Sequence, residues 1–342
     1  MSIQPDLLKT VLQPLLSAGQ NASAAGLSDA LASMMSVNAD VHMCHPFGDI
    51  KGPSAWFTAC FEPLLLAMPD LERRELVVVA GTTDAGQHWV GTCGNYMGKF
   101  VAPWMGIAPT GRLAHMRYHE FYRIEDGEVV EVQAIWDIPE LMMQAQQWPM
   151  APQLGDSLCT PSPMTQDGLR IRDDFVGQGA QTQAHVLAML NDMCKHPSQG
   201  GPEVMNLSAY WHPRFNWYGP AGIGVGRGVQ GFRDWHQIPF LRAMPDRALD
   251  PSGLTSHWVA QGNYVCETGW PNMRLTLSTG GWLGLAPTGQ KIQLRSLDFW
   301  RMQEGLIREN WVLVDLLDVY HQVGLNVFER LSDFNKARGQ CQ

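Results

Sequence analysis

Apolar residues recur at helical spacing near the start of the chain and again past its middle. Leu7, Leu8, Val11 and Leu15 predict a helix over 5–18, and Leu27, Leu31, Met34 and Met35 a second over 24–36. Residues 181–193 and 203–210 predict a matching pair. Longer apolar runs at 54–68 and 229–244 predict third helices, each ending at Met-Pro-Asp, where proline forbids continuation. The pattern then shifts to that of strands, over 75–80, 88–96, 113–124 and 129–135, and later over 257–267, 273–284, 292–302 and 306–314. Glu125-Asp126-Gly127 marks a hairpin turn. The stretches before the third helices read as irregular loops. Helices first and antiparallel strands after predict an α+β fold, with a curved sheet wrapped around helices.

This order occurs twice because the chain repeats itself. Ala108-Pro109-Thr110-Gly111 returns as Ala286-Pro287-Thr288-Gly289, and from there the two copies run without a gap to Gln144 and Gln322 at a constant offset (286 − 108 = 178). Arg117 matches Arg295, Phe121 matches Phe299, Arg123 matches Arg301 and Asp137 matches Asp315. Upstream, Ala67-Met68-Pro69-Asp70 returns as Ala243-Met244-Pro245-Asp246. His88-Trp89-Val90 pairs with His257-Trp258-Val259, and Gly94-Asn95-Tyr96 with Gly262-Asn263-Tyr264. The unit is far longer than a solenoid repeat, so each copy is expected to carry its own core. The expected domains are residues 1–145 and 181–335. The segment 146–180, rich in Pro, Gly and Ser, is expected to be a linker draped on the surface.

Composition narrows the class. A net charge of −9 argues against a nucleic-acid partner, because phosphate contacts need a basic face. No apolar stretch approaches the length that spans a bilayer, so no membrane partner is expected. The N-terminal Met-Ser-Ile-Gln-Pro-Asp lacks the features of a leader, and the seven cysteines form no Cys-x-x-Cys pair. A cytoplasmic protein with reduced thiols is the expectation. Thirteen tryptophans point to aromatic-lined interiors.

The strand-turn-strand block carries a family likeness. Copy 2 reads Asp298-Phe-Trp-Arg-Met-Gln-Glu-Gly305-Leu-Ile-Arg-Glu309-Asn-Trp311-Val-Leu-Val-Asp315, with Gln322-Val-Gly324 beyond it; copy 1 reads Glu120-Phe-Tyr-Arg-Ile-Glu-Asp-Gly127-Glu-Val-Val-Glu131, then Asp137. Both resemble the SnoaL-like polyketide cyclase and ester cyclase family. The Gly-Pro-Ala-Gly-Ile-Gly of 219–224, the Met-Pro-Asp and the Ala-Pro-Thr-Gly turn fit it too. The resemblance covers roughly 20–145 and 185–330. It implies two cone-shaped α+β barrels of the nuclear transport factor 2-like superfamily, each enclosing a deep apolar pocket. It also implies pairing through the outer sheet faces, here within one chain as an intramolecular pseudo-dimer.

The resemblance further implies acid/base chemistry on a carbonyl compound with neither metal nor organic cofactor. The family's histidine, three residues before the strand arginine, is Glu120 and Asp298 here. Its aspartate, eleven residues after that arginine, is Ala134 and Val312. Glu120 and Asp298 are therefore the candidate catalytic residues, facing inward if the histidine does. A carboxyl buried among Trp217, Trp258, Tyr264 and Trp300 would have a raised pKa suited to general acid or base work. The alternative is that these acids are partly solvated or pair with an inward arginine. Tyr118 and Tyr122 flank Glu120 on the same strand face, as oxyanion donors or core lining. His45 is a candidate proton carrier beside the copy 1 pocket, and the cluster with His42 and Cys44 is not read as a metal site. Arg227, in a glycine-rich loop at 222–228, is a candidate contact for an anionic group.

These readings converge on a cofactor-independent lyase, isomerase or cyclase acting on a small apolar carbonyl compound in an aromatic-lined pocket. The alternative is a non-catalytic small-molecule-binding protein. Copy 2 follows the family's tail better and is the favoured working site.

Overall fold

A computed structural model describes residues 4–247 and 252–339. Met1 to Ile3 and Cys341 lie outside them. Among the described residues no helix is long and apolar enough to cross a membrane.

Copy 1 builds a six-stranded sheet in the order β2-β1-β6-β5-β4-β3, from β1 (Met35–Met43), β2 (Gly48–Lys51), β3 (Glu72–Thr82), β4 (His88–Lys99), β5 (Leu113–Glu125) and β6 (Glu128–Trp136). Copy 2 repeats it as β8-β7-β12-β11-β10-β9, from β7 (Trp211–Tyr218), β8 (Val225–Arg227), β9 (His257–Gln261), β10 (Tyr264–Thr276), β11 (Lys291–Gln303) and β12 (Leu306–Val314). Pairing is antiparallel except for one parallel pair in each sheet, β1 with β6 and β7 with β12. Each copy is an α+β unit of the expected class.

The stretches read as irregular loops contain β1 and β7. Ala39, Val41 and Met43 alternate inward along β1, and Phe215 and Trp217 along β7. The predicted 5–18 helix is two, Pro5–Thr10 and Gln13–Gly19, with Pro14 entering the first turn of the second. Residues 203–210 form short 3₁₀ turns. Both third helices carry a π-helical stretch, Phe57–Phe61 and Arg233–Gln237. The predicted strand over 257–267 is a hairpin, β9 and β10, turning at Gly262. Gly262 holds a left-handed φ of 52°, which an L side chain would resist.

That hairpin corrects the upstream match between the copies. Glu267 pairs with Asp298 on β11, while Thr92 pairs with Glu120 on β5. Glu267 therefore occupies the place of Thr92, and Gly269 that of Gly94. His257-Trp258-Val259 lies on the edge strand, one strand away from His88-Trp89-Val90, and Gly262-Asn263-Tyr264 opens β10 rather than matching Gly94-Asn95-Tyr96.

The outer sheet faces of the two copies touch. Phe299 packs on His119 and Phe121, with ring centroids 5.1 and 5.2 Å away, and Thr268 Oγ1 donates to Gln133 Oε1 at 2.6 Å. Two contacts repeat with the copies exchanged: the Ala221 N–H donates to Asp137 Oδ2 (2.9 Å) and the His45 N–H to Asp315 Oδ2 (3.0 Å). Arg117 donates to the Tyr218 and Gly219 carbonyls, so it lies on the outer face as its alternation requires. Residues 145–177 contain no helix or regular strand, yet Thr160 is buried and its carbonyl accepts from Asn95.

Candidate functional site

The two sheet interiors differ. In copy 1 the inward carboxylate is enclosed by partners. Arg73 Nη1 donates to Glu120 Oε2 at 2.6 Å, Tyr96 and Trp136 donate to Oε1 at 2.9 and 2.8 Å, and the Tyr122 hydroxyl also donates to Oε2. The same guanidinium reaches Glu75 and Thr92, and it lies 4.0 Å from the centre of the Tyr118 ring. Trp56, Phe61, Tyr96, Tyr118, Tyr122 and Trp136 are all buried around it. Glu120, Tyr118 and Tyr122 thus form a packed ionic core, with the acceptor oxygens of Glu120 already occupied. Arg73 supplies the inward arginine of the alternative reading.

Copy 2 instead holds a cavity of about 330 Å³. Its walls are Met189, Met193, Trp211, Trp217, Phe232, Phe240, Trp282 and Trp300. Asp298 reaches it from β11 and Glu267 from β10. Directly opposed residues on neighbouring strands have their Cβ atoms about 5 Å apart, so the two carboxyls share one small space. Burial pushes Glu267 up to about 7, against the pull of hydrogen bonds from Ser256 Oγ (2.5 Å) and Asn272 Nδ2 (3.1 Å). Burial, and then the charge of Glu267, raise Asp298 well above the carboxylate range. Two buried acids so placed disfavour double ionisation. Donors oppose the rise at both acids, Ser256 and Asn272 at Glu267 and Ser296 and Asn310, with Arg247, at Asp298.

Helix residues complete the wall. His236 stacks on Trp217 with centroids 4.1 Å apart and planes 12° from parallel. Burial, helped by Arg247, holds its imidazole down to about 3, so the ring is neutral. Its Nδ1 has no hydrogen-bond partner, and neither has either amide atom of Gln237, which is 1% exposed. Both sit on the π-helical stretch, which turns these adjacent residues toward the cavity. Counting from Met-Pro-Asp, the same places in copy 1 are the buried apolar residues Cys60 and Phe61. Val312, at the position of the family's aspartate, is part of the apolar wall.

The candidates named from sequence divide accordingly. Asp298, Trp217 and Trp300 line the copy 2 cavity. Trp258 stands behind Trp300, stacked at 5.5 Å. Tyr264 lies on the opposite sheet face from Glu267 and donates to Asp167 Oδ1 at 2.5 Å; it is no part of the pocket, because the hairpin turn reverses its strand. His45 stacks on His321 at the seam between the copies, centroids 4.5 Å apart, and does not reach Glu120. Arg227 bonds Asn216 on the surface; the cations on the cavity wall are Arg247 and Arg274, the second of which donates to Ser252 Oγ at 2.8 Å. Sequence reasoning missed Glu267, His236, Gln237 and Arg247. The first was signalled by Gly262-Asn263, a two-residue hairpin sequence that would have set the register. The others belong to no motif, and copy 1 has Cys60, Phe61 and Leu71 at the same places.

A mixed, helix-backed sheet with paired buried acids in an apolar cavity defines an α+β pocket protein. The chain belongs to the SnoaL-like polyketide cyclase family, whose model matches residues 18–145 and 201–323. No curated protein matches it. Similar solved structures include wild-type IdmH, a proposed polyketide cyclase from Streptomyces antibioticus (20% identity, TM-score 0.35, covering 41% of this chain and 98% of that one). AclR, a proposed hydroxylase from Streptomyces galilaeus, is 19% identical (TM-score 0.36, covering 44% and 87%). A proposed SnoaL-like polyketide cyclase from Jannaschia sp. CCS1 is 20% identical (TM-score 0.34, covering 41% and 91%).

Proposed function

We propose that copy 2 is a cofactor-independent acid/base catalyst, a lyase, isomerase or cyclase, acting on a small carbonyl compound. The observation that carries this is the opposed Glu267–Asp298 pair in an apolar cavity. In this reading Glu267 removes a proton from the carbon next to the carbonyl. Asp298 donates its proton to the carbonyl oxygen as charge develops there, and the pair is restored when the protons return. A base with a pKa near 7 is matched to the working pH. The aromatic walls keep water from competing. Copy 1 is then a structural half, and the chain is a covalent pseudo-dimer joined through the sheet faces. This reading keeps the cytoplasmic setting expected from the sequence.

The test is solvent-deuterium exchange of a panel of small cyclic ketones and enones, followed by proton NMR. Wild type is expected to exchange the α-protons, and Glu267→Gln and Asp298→Asn each to lose about 10²- to 10⁴-fold in rate. Unchanged rates in both variants would sink the assignment. The absence of the family's aspartate, with Val312 in its place, favours the second reading, a non-catalytic binding protein. That reading expects ligands held by wild type and left unexchanged.

A further inference from the structure

The two copies use an arginine near the same interior in opposite ways. Arg73 is spent: its guanidinium donates to Glu75, Glu120, Tyr96 and Thr92. Arg247, on the copy 2 cavity wall, makes no hydrogen bond with a described residue, and Asp298 is the carboxyl whose charge acts on it. It follows Met244-Pro245-Asp246 directly, where copy 1 has the buried Leu71 after Met68-Pro69-Asp70. A guanidinium on a wall shared with Met193, Phe240 and Trp282 offers a fork of donors, a shape that fits a carboxylate through two parallel bonds. Glu267 is already served by Ser256 and Asn272. Nearby, the Gln237 amide and His236 Nδ1 are buried without partners, and buried polar groups left unmade are costly. An occupant supplying one anionic group and one or two neutral acceptor oxygens would meet the Arg247 fork, the Gln237 Nε2 donor and His236 Nδ1 in its N–H tautomer.

We infer that the occupant of the copy 2 cavity is a keto acid, with its carboxylate on Arg247 and its carbonyl oxygen read by Gln237 and His236. This rests on the reading of that cavity as the working site and narrows the ligand from any apolar carbonyl compound to one carrying an ionised carboxylate. The carboxylate is an anchor and takes no part in the proton transfers. Its place on the wall sets which carbon faces Glu267. An ester of the same skeleton keeps the shape and loses the anchor.

The experiment compares three pairs of probes by titration calorimetry: 3-benzoylpropionate, phenylpyruvate and 4-phenyl-2-oxobutanoate, each against its methyl ester. Wild type is expected to prefer the acids by about ten- to a hundredfold, the range for a hydrogen-bonded charge. Arg247→Met is expected to bind acid and ester alike, and Arg247→Lys to keep part of the preference, since it retains charge without the fork. The Glu267→Gln/Asp298→Asn double variant is expected to keep the acid preference while losing exchange. Failure of the catalytic reading is thereby separable from failure of this one. Equal binding of acids and esters to wild type, or a preference that survives in Arg247→Met, would overturn the inference.

Discussion

Replacing Glu267 by Gln is expected to stabilise the protein above neutral pH and to leave it little changed in acid. Folding carries this carboxyl from an ordinary 4.5 to about 7, because burial penalises its charged form. Below 4.5 it is protonated whether folded or unfolded, and folding costs nothing on its account. As pH rises through 4.5 the unfolded chain releases the proton while the folded one keeps it, so stability declines until the folded group ionises near 7. The shift of two and a half units, at about 1.4 kcal/mol each, amounts to about 3 kcal/mol of stability lost in wild type across that window. Gln cannot ionise, yet its amide oxygen still accepts from Ser256 and Asn272. The variant also removes the charge that raises Asp298. Urea unfolding followed by tryptophan fluorescence, near pH 5 and near pH 8, measures the difference. The reasoning is refuted if wild type is equally stable at both, or if Glu267→Gln is the less stable protein near pH 8.

Two further outcomes follow from the contrast between the copies. Arg73→Met is expected to destabilise copy 1 by about 3–5 kcal/mol, since it leaves Glu120 buried and uncompensated, while the double change with Glu120→Gln recovers most of the loss; denaturant titration of the three variants checks it. Gln237→Leu is expected to raise stability by about 1–3 kcal/mol by removing an unpaired buried amide, and to weaken keto-acid binding; melting curves and calorimetry on one sample read both effects.

The repeat, the helix-then-strand order and the inward acids were legible because each is a local pattern. Arg123 with Gly127 and Arg301 with Gly305 fix the hairpin that places Glu120 and Asp298, and alternation does the rest. Strands β1 and β7 were less visible, since they follow helices without a turn signal and pair in parallel with strands far along the chain. Their alternation at Ala39, Val41 and Met43 was present, but nothing local marked it as a strand. Glu267 was hidden by a register slip: matching Gly94-Asn95-Tyr96 to Gly262-Asn263-Tyr264 consumed the two residues that make the β9–β10 turn. His236 and Gln237 belong to no motif. Comparison between copies favours what both keep, and a copy whose interior is closed by Arg73 and Glu120 keeps no cavity polar groups at the places of Cys60 and Phe61.

The central claim is that copy 2 stores a proton between Glu267 and Asp298 at neutral pH. Difference infrared spectroscopy between wild type and the Glu267→Gln/Asp298→Asn variant tests it most directly, through the carbonyl stretch of a protonated carboxyl. The account expects that band in wild type near pH 7, absent from the double variant and fading as pH rises, because both acids are raised by burial. A neutral-pH spectrum with only ionised carboxylates in wild type would contradict it.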